Sequence, residues 1–119
     1  MTVVNLMDDC QEDLQEFVIN HIGMSGQESN IVCKTTYDAL DEDHVNLDNR
    51  IFRSDEADEK KSLLIQTLIS KLSFKWVRMG LNELKVRTLI QKFIPFVASI
   101  IFYKLDEKCY EFQESMALA

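Results

Sequence analysis

The side chains able to ligate, protonate or attack are few and scattered. Histidine occurs twice, at His21 and His44, and cysteine three times, at Cys10, Cys33 and Cys109. A zinc site needs ligands at short fixed spacings, such as H-x-x-x-H or C-x-x-C, so that several converge on one ion. No such pair occurs in the chain. His21 falls near the apolar face of a helix and reads as a helix-end histidine. Carboxylates are plentiful, and Asp41, Glu42 and Asp43 stand together. A general acid needs a dry site that shifts its pKa, and this acidic segment reads as wet. "SDEADEKK", residues 54–61, looks like an acidic helicase box, but no G-x-x-x-x-G-K-[ST] phosphate loop precedes it. Gly23 and Gly26 enclose too short a segment to cradle a phosphate. The expectation is a protein without enzyme activity, metal or cofactor.

Contact chemistry is better represented. Lys71, Lys75 and Arg78 recur at i, i+4 and i+7, a basic stripe on the flank of one helix. Lys85, Arg87 and Lys92 add to the same region. The stripe reads either as a solvated flank answering an acidic half of the chain or as a docking face for an acidic partner. Phe74, Trp76, Met79 and Leu81 crowd the end of that helix. They are core, or part of an exposed face, where Trp, Phe and Met are over-represented at interfaces. These seven residues, Phe74, Trp76, Met79, Leu81, Lys71, Lys75 and Arg78, form the candidate partner-binding set.

Such residues need elements to hold them. The chain has 119 residues, 46% apolar and 28% charged. That composition suits one globular domain over 1–119, with an arm at 1–7 and a tail at 113–119. Three glycines and one proline are too few for the turns of an all-β fold, which favours helices. Net charge is −7, which argues against nucleic-acid binding. Residues 1–59 hold 15 acids and 3 bases, net −12; residues 60–119 hold 5 acids and 10 bases, net +5. The odd cysteine count, the wide spacings and the N-terminus "MTVVNLMDDC" point to a reducing, intracellular and cytoplasmic setting.

Helical periodicity places Leu14, Phe17, Val18 and Ile22 on one face of a first helix, capped by Asp8 or Asp9 and ended by Gly23. "GMSGQESN" reads as a loop. Ser29 or Asn30 then caps a second helix with Val32, Cys33, Tyr37 and Leu40 inward. Residues 41–53 read as a long connection. Ser54 opens the strongest helix, with Leu64, Ile65, Leu68, Ile69, Leu72, Trp76 and Met79 in its stripe and a stop at Gly80. Asn82 caps the next, and Leu81 with Val86 has the spacing of a hydrophobic staple. That helix runs to about Ile94 with Leu84, Leu89, Ile90 and Phe93 inward. Pro95 kinks it or starts another, which continues with Phe96, Val97, Ile100, Ile101, Leu105, Cys109 and Phe112.

The most apolar stretch is "LIQKFIPFVASIIFYKL", residues 89–105. Its unbroken apolar run, Phe93 to Tyr103, has 11 residues, whereas a spanning helix needs about 20. It therefore reads as a central helix buried by neighbours, without membrane insertion. The expected architecture is an all-α bundle of five to six helices around this central apolar helix.

A central apolar helix wrapped by amphipathic ones resembles the Bcl-2 architecture. "FKWVRMG", Phe74 to Gly80, is similar to the Trp-Gly-Arg signature of that family's groove. Val77 stands where the family has Gly, the preceding Asn is absent, and no Leu-x-x-x-Gly-Asp motif occurs elsewhere. The resemblance spans seven residues and implies a role like that of small viral members that block apoptosis or innate signalling. No functional residue is carried over from it. Death-fold adaptors are another all-α possibility.

The reading that results is a non-enzymatic, intracellular protein–protein interaction module, a helical adaptor or regulator. Its partner would be a protein, such as an amphipathic helix, or a second copy in a homo-oligomer. Alternatives are a viral Bcl-2-like inhibitor and a regulatory subunit of a larger complex.

Overall fold

The computed structural model describes residues 7–42 and 57–104. The described chain is all-helical and contains no strand. The described residues form four α-helices: α1 (Gln11–Asn20), α2 (Gly26–Glu42), α3 (Ala57–Arg78) and α4 (Glu83–Lys104). The connection expected over 41–53 lies outside the described residues beyond the end of α2. So do the Ser54 cap, the tail at 113–119, and Leu105, Cys109 and Phe112.

α1 is entered through a 3₁₀ turn, Asp8–Cys10. Cys10, rather than Asp9, holds the N-cap position of α1, without a side-chain cap bond. The Asp9 carboxylate instead accepts from Lys104 Nζ at 2.7 Å, which ties the start of α1 to the end of α4. Leu14 and Val18 are buried, with Phe17 and Ile22 half-buried beside them, as their spacing requires. Met7, placed in an arm by its position, is fully buried, and its carbonyl accepts from the Tyr37 hydroxyl at 2.6 Å. At Gly23 the backbone turns through φ +78°, and α1 ends.

α2 begins four residues earlier than Asn30, inside the stretch that reads as a loop. The cap is a reciprocal box. Ser25 Oγ accepts from the Glu28 N–H at 3.1 Å, and Glu28 Oε1 accepts from the Ser25 N–H at 3.3 Å. Ser29 is thus interior to the helix and fully buried, and the Asn30 side chain accepts from Gln15 Nε2 at 2.6 Å across to α1. Val32, Cys33, Thr35, Thr36, Ala39 and Leu40 are buried. The two threonines satisfy their hydroxyls within the helix by donating to the Ile31 and Val32 carbonyls.

α3 buries Leu68, Leu72 and Trp76, flanked by half-buried Leu64, Ile65 and Ile69. It closes in a Schellman motif. Gly80 (φ +96°) donates to the Val77 carbonyl and Leu81 donates to the Trp76 carbonyl, both at 3.1 Å. Two residues later Asn82 caps α4, its side chain accepting from the Lys85 N–H at 2.8 Å. Leu81 and Val86 are both buried in the core cluster, as a staple requires.

α4 does not stop near Ile94. It runs through Pro95 by inserting a π turn, Leu89–Phe93, in which the Ile94 N–H reaches back to the Leu89 carbonyl. A wider turn just before the proline shifts the hydrogen-bond register where its missing N–H would break it. Leu89, Phe93, Ile94, Val97, Ala98 and Ile101 are fully buried. Leu84, expected inward, is exposed, as are Gln91, Lys92, Ser99 and Tyr103. The helix is therefore buried along one side rather than enclosed all round. At 22 residues it is long and apolar enough to cross a membrane, which the 11-residue run alone is not.

Successive helices pack on one another, α1 on α2, α2 on α3 and α3 on α4. Aromatic rings close the circuit. Phe17 of α1 stacks on Phe96 of α4 with centroids 4.1 Å apart, and Trp76 of α3 meets Phe93 of α4 edge-on at 6.4 Å.

Candidate interaction surface

The seven candidate residues divide between core and surface. Trp76 is fully buried, and its Nε1–H donates to Thr35 Oγ1 of α2 at 2.7 Å. Leu81 is buried under the α3–α4 corner. Both leave the candidate surface, because the inner face of α3 and the staple of α4 require them. Phe74 and Met79 stay on it, 67% and 48% exposed. Arg78 is exposed and Lys71 and Lys75 are half-exposed.

Two residues outside the candidate set are also at the surface: Val77, and Leu84, which the periodicity placed inward, 48% and 71% exposed. The signal for each was present. Phe74 and Val77 lie i, i+3 on the face of α3 opposite Leu72 and Trp76. Once Val86, Leu89 and Phe93 are taken as the inner stripe of α4, Leu84 falls on the far side. The exposed apolar side chains near the corner are thus Phe74 and Val77 on the outer face of α3, Met79 at its end on the side of Leu72 and Trp76, and Leu84 at the start of α4. Arg78 lies over the Phe74 ring, its guanidinium carbon 5.7 Å from the centroid, so a cation sits within the apolar face.

The sequence through the corner is rich in bases. Residues 70–92 contain six bases (Lys71, Lys75, Arg78, Lys85, Arg87, Lys92) and one acid, Glu83, net +5. Lys85 pairs with Glu28 of α2 at 2.5 Å, so the acidic half of the chain meets the basic half there. That lysine, with the Ser25 N–H, holds the Glu28 carboxyl below its ordinary range.

No group of three metal-ligating side chains occurs among the described residues. His21 is exposed and leans against the Phe17 ring at 5.0 Å. Cys10 and Cys33 are free and buried, and burial pushes both thiols up, away from the reactive thiolate. A groove of about 440 Å³ between α1 and α2 is lined by polar residues such as Gln11, Gln15, Lys34 and Asp38.

No family model, curated protein or solved structure matches this chain. Its reading rests on the fold and the corner.

Proposed function

We propose that this protein is a non-enzymatic helical interaction module, acting inside the cell, whose α3–α4 corner docks a protein partner. One observation carries the proposal: four large apolar side chains within residues 74–84, Phe74, Val77, Met79 and Leu84, are each exposed. Single exposed apolar residues are ordinary, but a cluster with an aromatic ring, a methionine and an arginine has the composition of a binding hot spot. Covering such side chains stabilises a complex by about 1 kcal/mol or more apiece. Buried Trp76 supports the corner from beneath, and the Schellman turn and Asn82 cap hold it rigid, so docking costs little ordering entropy. Two buried reduced thiols favour the intracellular setting. A role as a regulatory subunit would use the same surface.

Site-specific photo-crosslinking tests this. A photoreactive residue at position 74 or 84 should give one defined adduct in the native cell, absent when the same group is placed at Gln15 on α1. Adducts at all three positions alike, or at none, overturn the reading. The single changes Phe74→Ser and Leu84→Ser should alter unfolding stability by no more than about 0.5 kcal/mol, since both side chains are exposed.

A further inference from the structure

α3 carries a second apolar strip, on the side turned away from the core. Leu63, Thr67, Ser70, Phe74 and Val77 follow one another at spacings of 4, 3, 4 and 3, which within one continuous α-helix places all five on a single face. Leu63, Phe74 and Val77 are 64%, 67% and 48% exposed, and Ser70 is exposed between them. The strip is about 21 Å long. None of its five residues is charged, whereas the outer faces of the other helices carry exposed charges, such as Glu16 on α1, Asp38 on α2 and Lys92 on α4. Thr67 can be covered without losing a partner, because its hydroxyl donates to the Leu63 carbonyl at 2.8 Å. Arg78 borders the strip, over the Phe74 ring.

We infer that this strip pairs with the same strip of a second copy of the chain, the two α3 helices running antiparallel about a two-fold axis at Ser70. The inference rests on the docking role proposed above for Phe74 and Val77, and names the partner. In that direction the strip is complementary to itself. Leu63 meets Val77 of the second copy, Thr67 meets its Phe74, and Ser70 meets its Ser70. The phenyl ring thus lies over a small side chain, and the helices approach evenly along the strip. Run parallel, Phe74 would meet Phe74 and hold the helices apart over Thr67 and Ser70, leaving a void. A strip without charge also lets two identical copies meet with no like charges in the contact layers. The side chains covered on both copies come to about 1,000 Å², the low end for a specific interface, so the dimer is a reversible one.

Sedimentation equilibrium of the full chain over about 1–300 μM should show a monomer–dimer equilibrium. Phe74→Glu puts a charge in a contact layer and should weaken the dimer about tenfold or more, with the urea midpoint unchanged because the side chain is exposed. Ile19→Glu, at an exposed apolar position on α1, should leave the dimer intact. Mild oxidation in a Cys109→Ser background reads the register, since Cys10 and Cys33 are buried. Ser70→Cys should give a disulfide-linked dimer, and Leu63→Cys mixed with Val77→Cys should link to each other in preference to themselves. A chain that stays monomeric throughout, or a dimer that Phe74→Glu does not weaken, overturns the inference. So does Leu63→Cys linking mainly to itself, the mark of a parallel pair. The docking role is judged separately. A monomer whose position 74 crosslinks to a different protein in the cell leaves that role standing, and a monomer with no adduct at positions 74 and 84 removes both.

Discussion

At the scale of the residue, Trp76 shows how one polar atom decides a packing arrangement. An indole buried without a partner for its N–H leaves a donor out of water at a cost of about 1–3 kcal/mol. Thr35 Oγ1 removes that cost by accepting at 2.7 Å, from a residue 41 positions away. Thr35→Val should therefore destabilise by about 1–3 kcal/mol in urea unfolding, because the substitution keeps the shape and orphans the indole. Thr36→Val should cost less than about 1 kcal/mol, since the Val32 carbonyl that Thr36 bonds also accepts from Thr35. Equal losses would show that the indole bond contributes nothing specific. Ser29 is the opposite case: among the described residues its fully buried hydroxyl finds no partner within hydrogen-bond distance.

At the scale of the element, Glu28 joins a helix cap to an ion pair. Its carboxylate closes the box with Ser25 and reaches Lys85 at the start of α4. The Lys85 ammonium and the Ser25 N–H both favour the charged form, which holds the pKa below its ordinary value of 4.5. A depressed carboxyl stabilises the fold above its unfolded pKa and loses that contribution as pH falls through the folded value. The urea midpoint should therefore fall as pH drops below about 4.5, with Asp9 and Lys104 adding in the same direction. Glu28→Gln should lower the midpoint at neutral pH and flatten this acid limb. An unchanged acid limb would show that the pair is not maintained in solution.

The elements also show what local chemistry makes legible. Gly80, Leu81 and Asn82 announce the corner because a left-handed glycine, a staple and a cap act within a few residues. The Ser25–Glu28 box is equally local, S-x-x-E in the sequence. It was obscured by Gly26 beside it and by Ser29 and Asn30, which offered a competing cap. The π turn was not legible: whether Pro95 ends α4 or is carried within it depends on what packs against both sides.

At the scale of the whole molecule, α4 is the helix whose surroundings matter most. Its length and composition would suit a bilayer, yet six of its side chains are fully buried against the protein. Its availability to lipid should then be set by folding stability. Leu72→Ala removes a fully buried side chain of α3, costs about 2–5 kcal/mol, and should raise co-sedimentation with phosphatidylcholine vesicles above the native level. Strong sedimentation of the native protein, unchanged by the substitution, would mean that α4 enters lipid without unfolding.

The amino-acid order alone determined that the chain is helical, where Gly23 and Gly80 interrupt it, and how α3 turns into α4. Those features arise from backbone hydrogen bonds and side-chain caps between near neighbours. Only the tertiary structure decided that Trp76 and Leu81 are core while Phe74, Val77 and Leu84 face water, and that α4 is covered on one side. Burial depends on partners distant in the chain, and an apolar stripe cannot by itself say which of its neighbours will remove it from solvent.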